Sequence, residues 1–196
     1  MTGNPLQQAS SMRPYLGERV SGDAVVVKPL ESGLLLAIVD VLGHGPEAHA
    51  LVPVIEAFIG RYGGRDVSAV MISLHAHLRG SRGAAVGLCA IDEASGRVDY
   101  AGIGNTVIRR FGQTETRLVS QDGVLGQNMR TPRHQTLQLE PGDTLLLYTD
   151  GVSDRFTLRD YPSLPHHAPR TVAENVVSRF GKDYDDAACI AVRYGS

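Results

Sequence analysis

Apolar and polar positions along the chain form short runs typical of strands and longer stretches with helical spacing. Six apolar residues, 34–39, run directly into Asp40, which is typical of a buried strand that ends at a turn. Residues 24–28 form the strand before it, and residues 29–33 supply the turn between the two. The pattern therefore predicts a strand pair that carries Asp40 to the edge of a sheet.

Helical spacing follows this strand pair. Residues 46–62 carry apolar side chains at three- and four-residue intervals, and Pro53 predicts a kink within a single helix. A second helix is expected to be capped by Asp66 or Ser68 and to end at Gly80.

The remaining apolar segments predict strands, and residues 137–150 predict a hairpin that turns at residues 141–143. A capping box formed by Thr171 and Glu174 predicts a third helix before the last strand. The predicted strands not yet named are AVGLCAID, RVDYAGIG, NTVIRRFG, TETRLVS and ACIAVRY. This order of elements is typical of an α+β architecture in which packed sheets are covered by helices.

Length and composition favour one soluble domain over residues 1–196, because the chain is long enough to bury a substantial core. The formal charge of -2 argues against a general affinity for nucleic acid or anionic membranes. The N-terminal residues lack an apolar signal region, and no segment has the length of a membrane span. Cys89 and Cys189 lie within apolar runs, which predicts buried thiols and fits a cytoplasmic protein.

Aspartates stand at the ends of four predicted strands. Asp40 and Asp150 each end an apolar strand, Asp23 begins the first strand, and Asp185 and Asp186 precede the last one. Isolated aspartates at such positions are typical turn or helix caps. Carboxylates gathered in a low dielectric repel one another and take up protons unless a cation holds them. An all-oxygen site for Mg²⁺ or Mn²⁺ is the simplest interpretation of the set.

Four motifs, SGDAV, DVLGHG, TDG and DDAACIAV, occur in this order over nearly the whole chain. The ordered set resembles the metal-dependent protein phosphatases (PPM, or protein phosphatase 2C), in their bacterial SpoIIE branch. AGIGN, GVLG and the lack of an attached sensor or kinase domain make it most similar to the stand-alone, RsbX-type phosphatases of stressosome complexes. The resemblance implies an αββα sandwich of two antiparallel sheets flanked by helices, with two Mn²⁺ or Mg²⁺ ions in a cleft between the sheets.

The resemblance also implies the ligands. Asp40 would bridge both ions, and the backbone carbonyl of Val41 would bind one of them. Asp150 and Asp185 would complete the second site, and Asp23 would act near the first. A water that bridges two such ions can attack phosphorus without a side-chain nucleophile. Asp40 and Asp150 are therefore the candidate catalytic residues.

Two family features have no counterpart here. The DGHG of the larger enzymes has become DVLGHG, so the general-acid role proposed for their histidine is not transferred to His44. The phosphate-binding arginine of the eukaryotic branch has no matching motif, and none places Arg13 or Arg19 in that role. Asp186 remains an alternative to Asp185 as a ligand.

The leading hypothesis is a Mn²⁺- or Mg²⁺-dependent serine/threonine phosphoprotein phosphatase in the cytoplasm. The resemblance implies phosphorylated STAS-domain proteins of a stressosome-type complex as substrates. One alternative is a non-catalytic phosphoprotein-binding module that keeps the fold, and another is a phosphatase for small molecules. Asp40→Asn or Asp150→Asn distinguishes the phosphatase from the binding module, because under the phosphatase hypothesis either substitution should lower phosphate release by orders of magnitude and largely retain substrate binding.

Overall fold

The computed structural model describes residues 6–62, 64–153 and 161–195, and its strands form two five-stranded sheets with antiparallel pairing throughout. The first sheet has the order β1-β12-β11-β6-β7, and the second has the order β10-β5-β4-β3-β2. A short β8–β9 hairpin forms a separate two-stranded sheet. The strands are β1 (Leu6–Arg13), β2 (Asp23–Leu30), β3 (Gly33–Val41), β4 (Ala84–Asp92), β5 (Arg97–Ile103), β6 (Val107–Phe111), β7 (Thr116–Val119), β8 (Gly123–Val124), β9 (Asn128–Met129), β10 (Gln135–Gln138), β11 (Thr144–Tyr148) and β12 (Ala187–Tyr194).

Helices cover the outer face of each sheet. Helices α2 and α3 pack on the second sheet, and α4 packs on β1 and β12 of the first. The helices are α1 (Gly45–His49), α2 (Val52–Arg61), α3 (Val67–His77) and α4 (Pro169–Phe180), and Leu164–His166 forms a 3₁₀ turn.

Three apolar layers hold the sandwich together. Leu35 on β3 packs with the helices over the second sheet, whereas its neighbour Leu36 packs between the sheets against residues such as Ile190. A third layer joins the first sheet to α4. Successive side chains of a strand point to opposite faces, so a strand covered on both faces is apolar throughout, as residues 34–39 are. The predicted αββα sandwich is confirmed.

The predicted hairpin over residues 137–150 is wrong. Strand β10 pairs with β5 in the second sheet, while β11 pairs with β6 and β12 in the first. Residues 139–143 therefore cross from one sheet to the other. Alternation and turn residues mark the ends of strands, but they do not specify which strands pair.

The predicted helix over residues 46–62 is two helices, α1 and α2. Pro53 is the second residue of α2, so it lies in a first turn where no intrahelical N–H donor is lost. Asp66 caps α3 as predicted, by accepting hydrogen bonds from Ser68 N and Ala69 N, but α3 ends at His77 rather than near Gly80. Thr171 caps nothing, because α4 already begins at Pro169.

Both cysteines are buried free thiols, as predicted, and burial raises the pKa of each. Among the helices in the described ranges, none has the length and apolar character needed to cross a membrane.

Candidate active site

The second sheet contributes two of the predicted ligands from neighbouring strands. Asp23 begins β2, Asp40 lies near the end of β3, and the register pairs them directly. Paired residues project from the same face of a sheet, so the two carboxylates are neighbours. Val41 follows at the end of β3, where its N–H donates to Gly22 O at 3.1 Å.

The first sheet contributes two more carboxylates. Asp150 follows β11 and Asp185 precedes β12, and these strands are antiparallel neighbours, so both residues lie at the same end of the sheet. Asp40, Asp150 and Asp185 line one cleft of about 590 Å³. The other lining residues are Leu42, Gly43, His44, Ala85, Gly104, Asn105, Asp122, Gly123 and Val124.

Asp185 and its neighbour Asp186 have different environments. The Asp186 carboxylate is buried and accepts hydrogen bonds from Tyr15 N at 2.7 Å and Gly22 N at 2.8 Å. These donors fix the segment before β2 against the segment before β12. Asp185 is the member of the pair that faces the cleft.

Gly151 allows Asp150 to come close to this segment. A Cβ atom at position 151 would lie only 1.7 Å from the Asp186 backbone carbonyl oxygen, so any side chain would push the two segments apart. The glycine after Asp150 in the TDG motif is therefore a packing requirement of the site.

Thr149 joins the two sheets behind the cleft. Its buried hydroxyl donates to Asp23 Oδ2 at 2.7 Å and accepts from Ala188 N at 3.0 Å. Asp23 itself is 4% exposed and does not line the cleft. The structure thus places Asp23 behind Asp40, within a hydrogen-bonded link between the sheets.

Burial and mutual repulsion dominate the electrostatics of the site. Burial raises the pKa of Asp40 to about 7, with further contributions from the carboxylates of Asp150 and Asp185, although a hydrogen bond from Asn105 acts in the opposite direction. Burial, followed by the charge of Asp40, raises the pKa of Asp23 well above its usual value. Burial and Asp150 also raise the pKa of Asp185.

These donors fit a divalent cation. Partly buried carboxylates that repel one another lose that repulsion when a positive charge binds between them, and oxygen ligands suit Mg²⁺ and Mn²⁺. In residues 6–62, 64–153 and 161–195, no three His, Cys, Asp or Glu side chains already form a compact metal-binding group. Ligation by Asp23, Asp40, Val41, Asp150 and Asp185 therefore stays a prediction.

Sequence comparison identifies the family. Residues 31–195 match the family described as Stage II sporulation protein E (SpoIIE). The chain belongs to the SpoIIE family. A search of curated proteins finds no match.

Solved structures agree with membership in the SpoIIE family and show the PPM phosphatase fold. A chain from a study of the bacterial stressosome, a modular system adapted to control secondary messenger signalling, has a TM-score of 0.88 and 26% identity, over 96% of this chain and 99% of the other. RsbX in complex with magnesium has a TM-score of 0.82 and 18% identity, over 97% and 96%. The catalytic domain of the serine/threonine phosphatase PstP with two manganese ions has a TM-score of 0.69 and 18% identity, over 97% and 99%.

Of the three residues left unassigned by the family resemblance, His44 lines the cleft, whereas Arg13 and Arg19 do not. His44 lines the cleft, stacks on Tyr15 with ring centroids 4.6 Å apart, and lies 3.4 Å from Glu18. Arg13 contacts Asp183 and the Lys182 backbone carbonyl, so its head group is already bound. Arg19 is exposed beside α1 and does not line the cleft.

Sequence reasoning missed Thr149, Asn105 and Asp122. Thr149 lies within TDG, and Asn105 within AGIGN, so both were inside quoted motifs without an assigned role. Asp122 belongs to no such motif, and only the folded chain brings it to the cleft.

Proposed function

We propose that this protein is a Mn²⁺- or Mg²⁺-dependent serine/threonine phosphoprotein phosphatase. The observation that carries the proposal is the convergence of Asp40, Asp150 and Asp185 in one cleft, with the pKa of Asp40 raised to about 7. A structural carboxylate is normally stabilised by donors or cations, as Asp186 is. A cluster of mutually repelling carboxylates costs stability and suits a site that binds a cation.

In the proposed mechanism, Asp40, Val41, Asp150 and Asp185 would hold two cations, and Asp23 would act near the first of them. When bound, such ions activate water near neutral pH and stabilise charge on the phosphoryl oxygens. Asp40 would serve both ions, and Asn105, as its hydrogen-bond partner, would fix its orientation. The Thr149 hydroxyl would hold Asp23 in place through its 2.7 Å hydrogen bond.

The proposed substrates are phosphorylated STAS-domain proteins of a stressosome-type complex. Similarity to the stressosome chain and to RsbX supports this choice over a small metabolite. The proposed location is the cytoplasm.

The decisive experiment measures phosphate release from a phosphoserine STAS-domain protein with manganese, with EDTA, and after Asp40→Asn. The proposal expects release that requires both the metal and Asp40. Asp66→Asn is a matched control, because asparagine also caps helices and α3 should persist. No release by a folded protein that still binds the phosphoprotein would favour the binding module instead.

A small-molecule substrate is tested in the same assay. Comparable kcat/KM values for p-nitrophenyl phosphate and for the folded phosphoprotein would contradict the proposed protein substrate while leaving the metal-dependent chemistry intact.

A further inference from the structure

A second cavity, of about 660 Å³, lies next to the cleft. Residues 119–123 form one wall, and residues 128–130 with Arg133 form the other. Asp122 and Gly123 line both the cavity and the cleft, so the two adjoin at these residues. We call this second cavity the side groove.

The wall formed by the β8–β9 hairpin is firmly attached to the second sheet. Leu125 and Ala84 exchange two backbone hydrogen bonds, at 2.9 and 3.3 Å. Gly126 N donates to His75 Nδ1 at 3.1 Å, and the Gln127 side chain donates to Arg82 O at 2.6 Å. A groove held this way is formed before binding, which lowers the ordering cost for a ligand.

Two exposed arginines give the side groove its charge. Elsewhere on the molecule Arg82, Arg97 and Arg110 lie near acidic partners, namely Glu47, Asp99 and Asp143. In the part of the chain that the structure describes, neither Arg130 nor Arg133 has such a partner. Their guanidinium groups are available to an external carboxylate or phosphate. Asp122, at the junction with the cleft, is the acidic residue of the side groove.

We propose that the side groove binds the substrate segment next to the phosphorylated residue, and that Arg130 and Arg133 favour acidic residues in this segment. The inference rests on the proposed phosphatase function. An anionic substrate must approach a cleft that carries several carboxylates, and the two arginines supply attraction at its entrance. They are specificity-determining residues and take no part in the chemical step.

The test compares two phosphoserine peptides, one with aspartate and glutamate around the phosphoserine and one with alanine there. Wild-type protein should favour the acidic peptide by about tenfold in kcat/KM at low salt, and less at high salt, because exposed charge pairs are weak and screened. The double variant Arg130→Ala and Arg133→Ala should lose this preference. Its kcat/KM for the alanine peptide and for p-nitrophenyl phosphate should fall less, because these substrates offer the arginines only the phosphate itself.

Reversal of the charges sharpens the result. A variant with Arg130→Glu and Arg133→Glu should disfavour the acidic peptide relative to the alanine peptide. The matched control removes two exposed arginines that line neither cavity, through Arg61→Ala and Arg170→Ala, and should keep the wild-type preference. Equal preference in wild type and the double variant would overturn the inference.

Failure of the proposed function gives a different result. If wild-type protein releases no phosphate from p-nitrophenyl phosphate or from either peptide, the phosphatase proposal fails. Fluorescence anisotropy of the labelled acidic phosphopeptide then tests the side groove directly. Binding that the double variant weakens about tenfold supports the groove, and absent or unchanged binding overturns it.

Discussion

Strand β11 has an aspartate beyond each end, and the two carboxylates have opposite surroundings. Asp143, before the strand, lies 3.7 Å from Arg110 Nε and accepts a hydrogen bond from Glu140 N at 3.0 Å. Asp150, after the strand, lines the cleft with Asp40 and Asp185. The protein itself neutralises the first carboxylate, whereas the second joins a cluster of like charge. The contrast separates a structural aspartate from a functional one.

The largest expected effect is on phosphate release and concerns Asp150, the aspartate after β11 that lines the cleft. Asp150→Asn should lower metal-dependent phosphate release by roughly 10³-fold, because a lost cation ligand removes several kcal/mol of transition-state stabilisation. The variant should remain folded, since an amide removes repulsion from the cluster. A phosphate-release assay measures the loss of activity, and circular dichroism checks that the variant is folded. Near-wild-type turnover would contradict the assignment of Asp150 as a cation ligand.

The second prediction concerns the metal-free protein and its dependence on pH. The pKa of Asp40 is about 7 in the folded protein and near 3.8 when unperturbed, so the folded state holds its proton more tightly. The contribution of Asp40 to stability should therefore fall as pH rises from about 4 to about 7, by at most about 1.4 kcal/mol per pH unit, and change little above that. Urea unfolding in EDTA across this range measures the slope.

Asp40→Asn is the reference for that experiment. The amide cannot titrate, so the difference in unfolding free energy between variant and wild type should grow in favour of the variant as pH rises. Manganese at pH 8 should stabilise wild type more than the variant. Parallel pH profiles for the two proteins would contradict the prediction.

The third prediction tests Asp143, the aspartate before β11 that lies beside Arg110. Asp143→Asn should lower the free energy of unfolding by about 2–3 kcal/mol, because Arg110 then lies partly buried without an anionic neighbour. Phosphate release per folded molecule should remain at the wild-type level. Loss of turnover without loss of stability would contradict a structural role for Asp143 and a functional role for Asp150 alone.

Much of this arrangement could be predicted from the sequence. The apolar run before Asp40 marks a strand buried on both faces, and the ordered motifs identify the family and the cleft residues. Pairing of β10 and β11 could not be predicted, because alternation carries no information about a strand's partner. Strand β1 was missed, since an edge strand with a polar face has little apolar signal.

The roles of residues that act behind the cleft could not be predicted from the sequence either. Asp185 and Asp186 are adjacent, and only the backbone donors of Tyr15 and Gly22 distinguish them. Thr149 has an ordinary strand-end position in the sequence, and its role depends on Asp23, which lies 126 residues away. Long-range hydrogen bonds of this kind leave no local pattern.

The smallest expected effect concerns the hydrogen bonds by which Thr149 joins the two sheets. Thr149→Val keeps the shape of the side chain but removes the hydroxyl shared by Asp23 Oδ2 and Ala188 N, so unfolding should become easier by about 1–2 kcal/mol. A double-mutant cycle with Asp23→Ala, followed by urea unfolding, isolates the Thr149–Asp23 interaction. We expect a coupling energy of about 1 kcal/mol. A value near zero would show that the two sheets are held together here by packing alone, and that Asp23 keeps its position without the threonine.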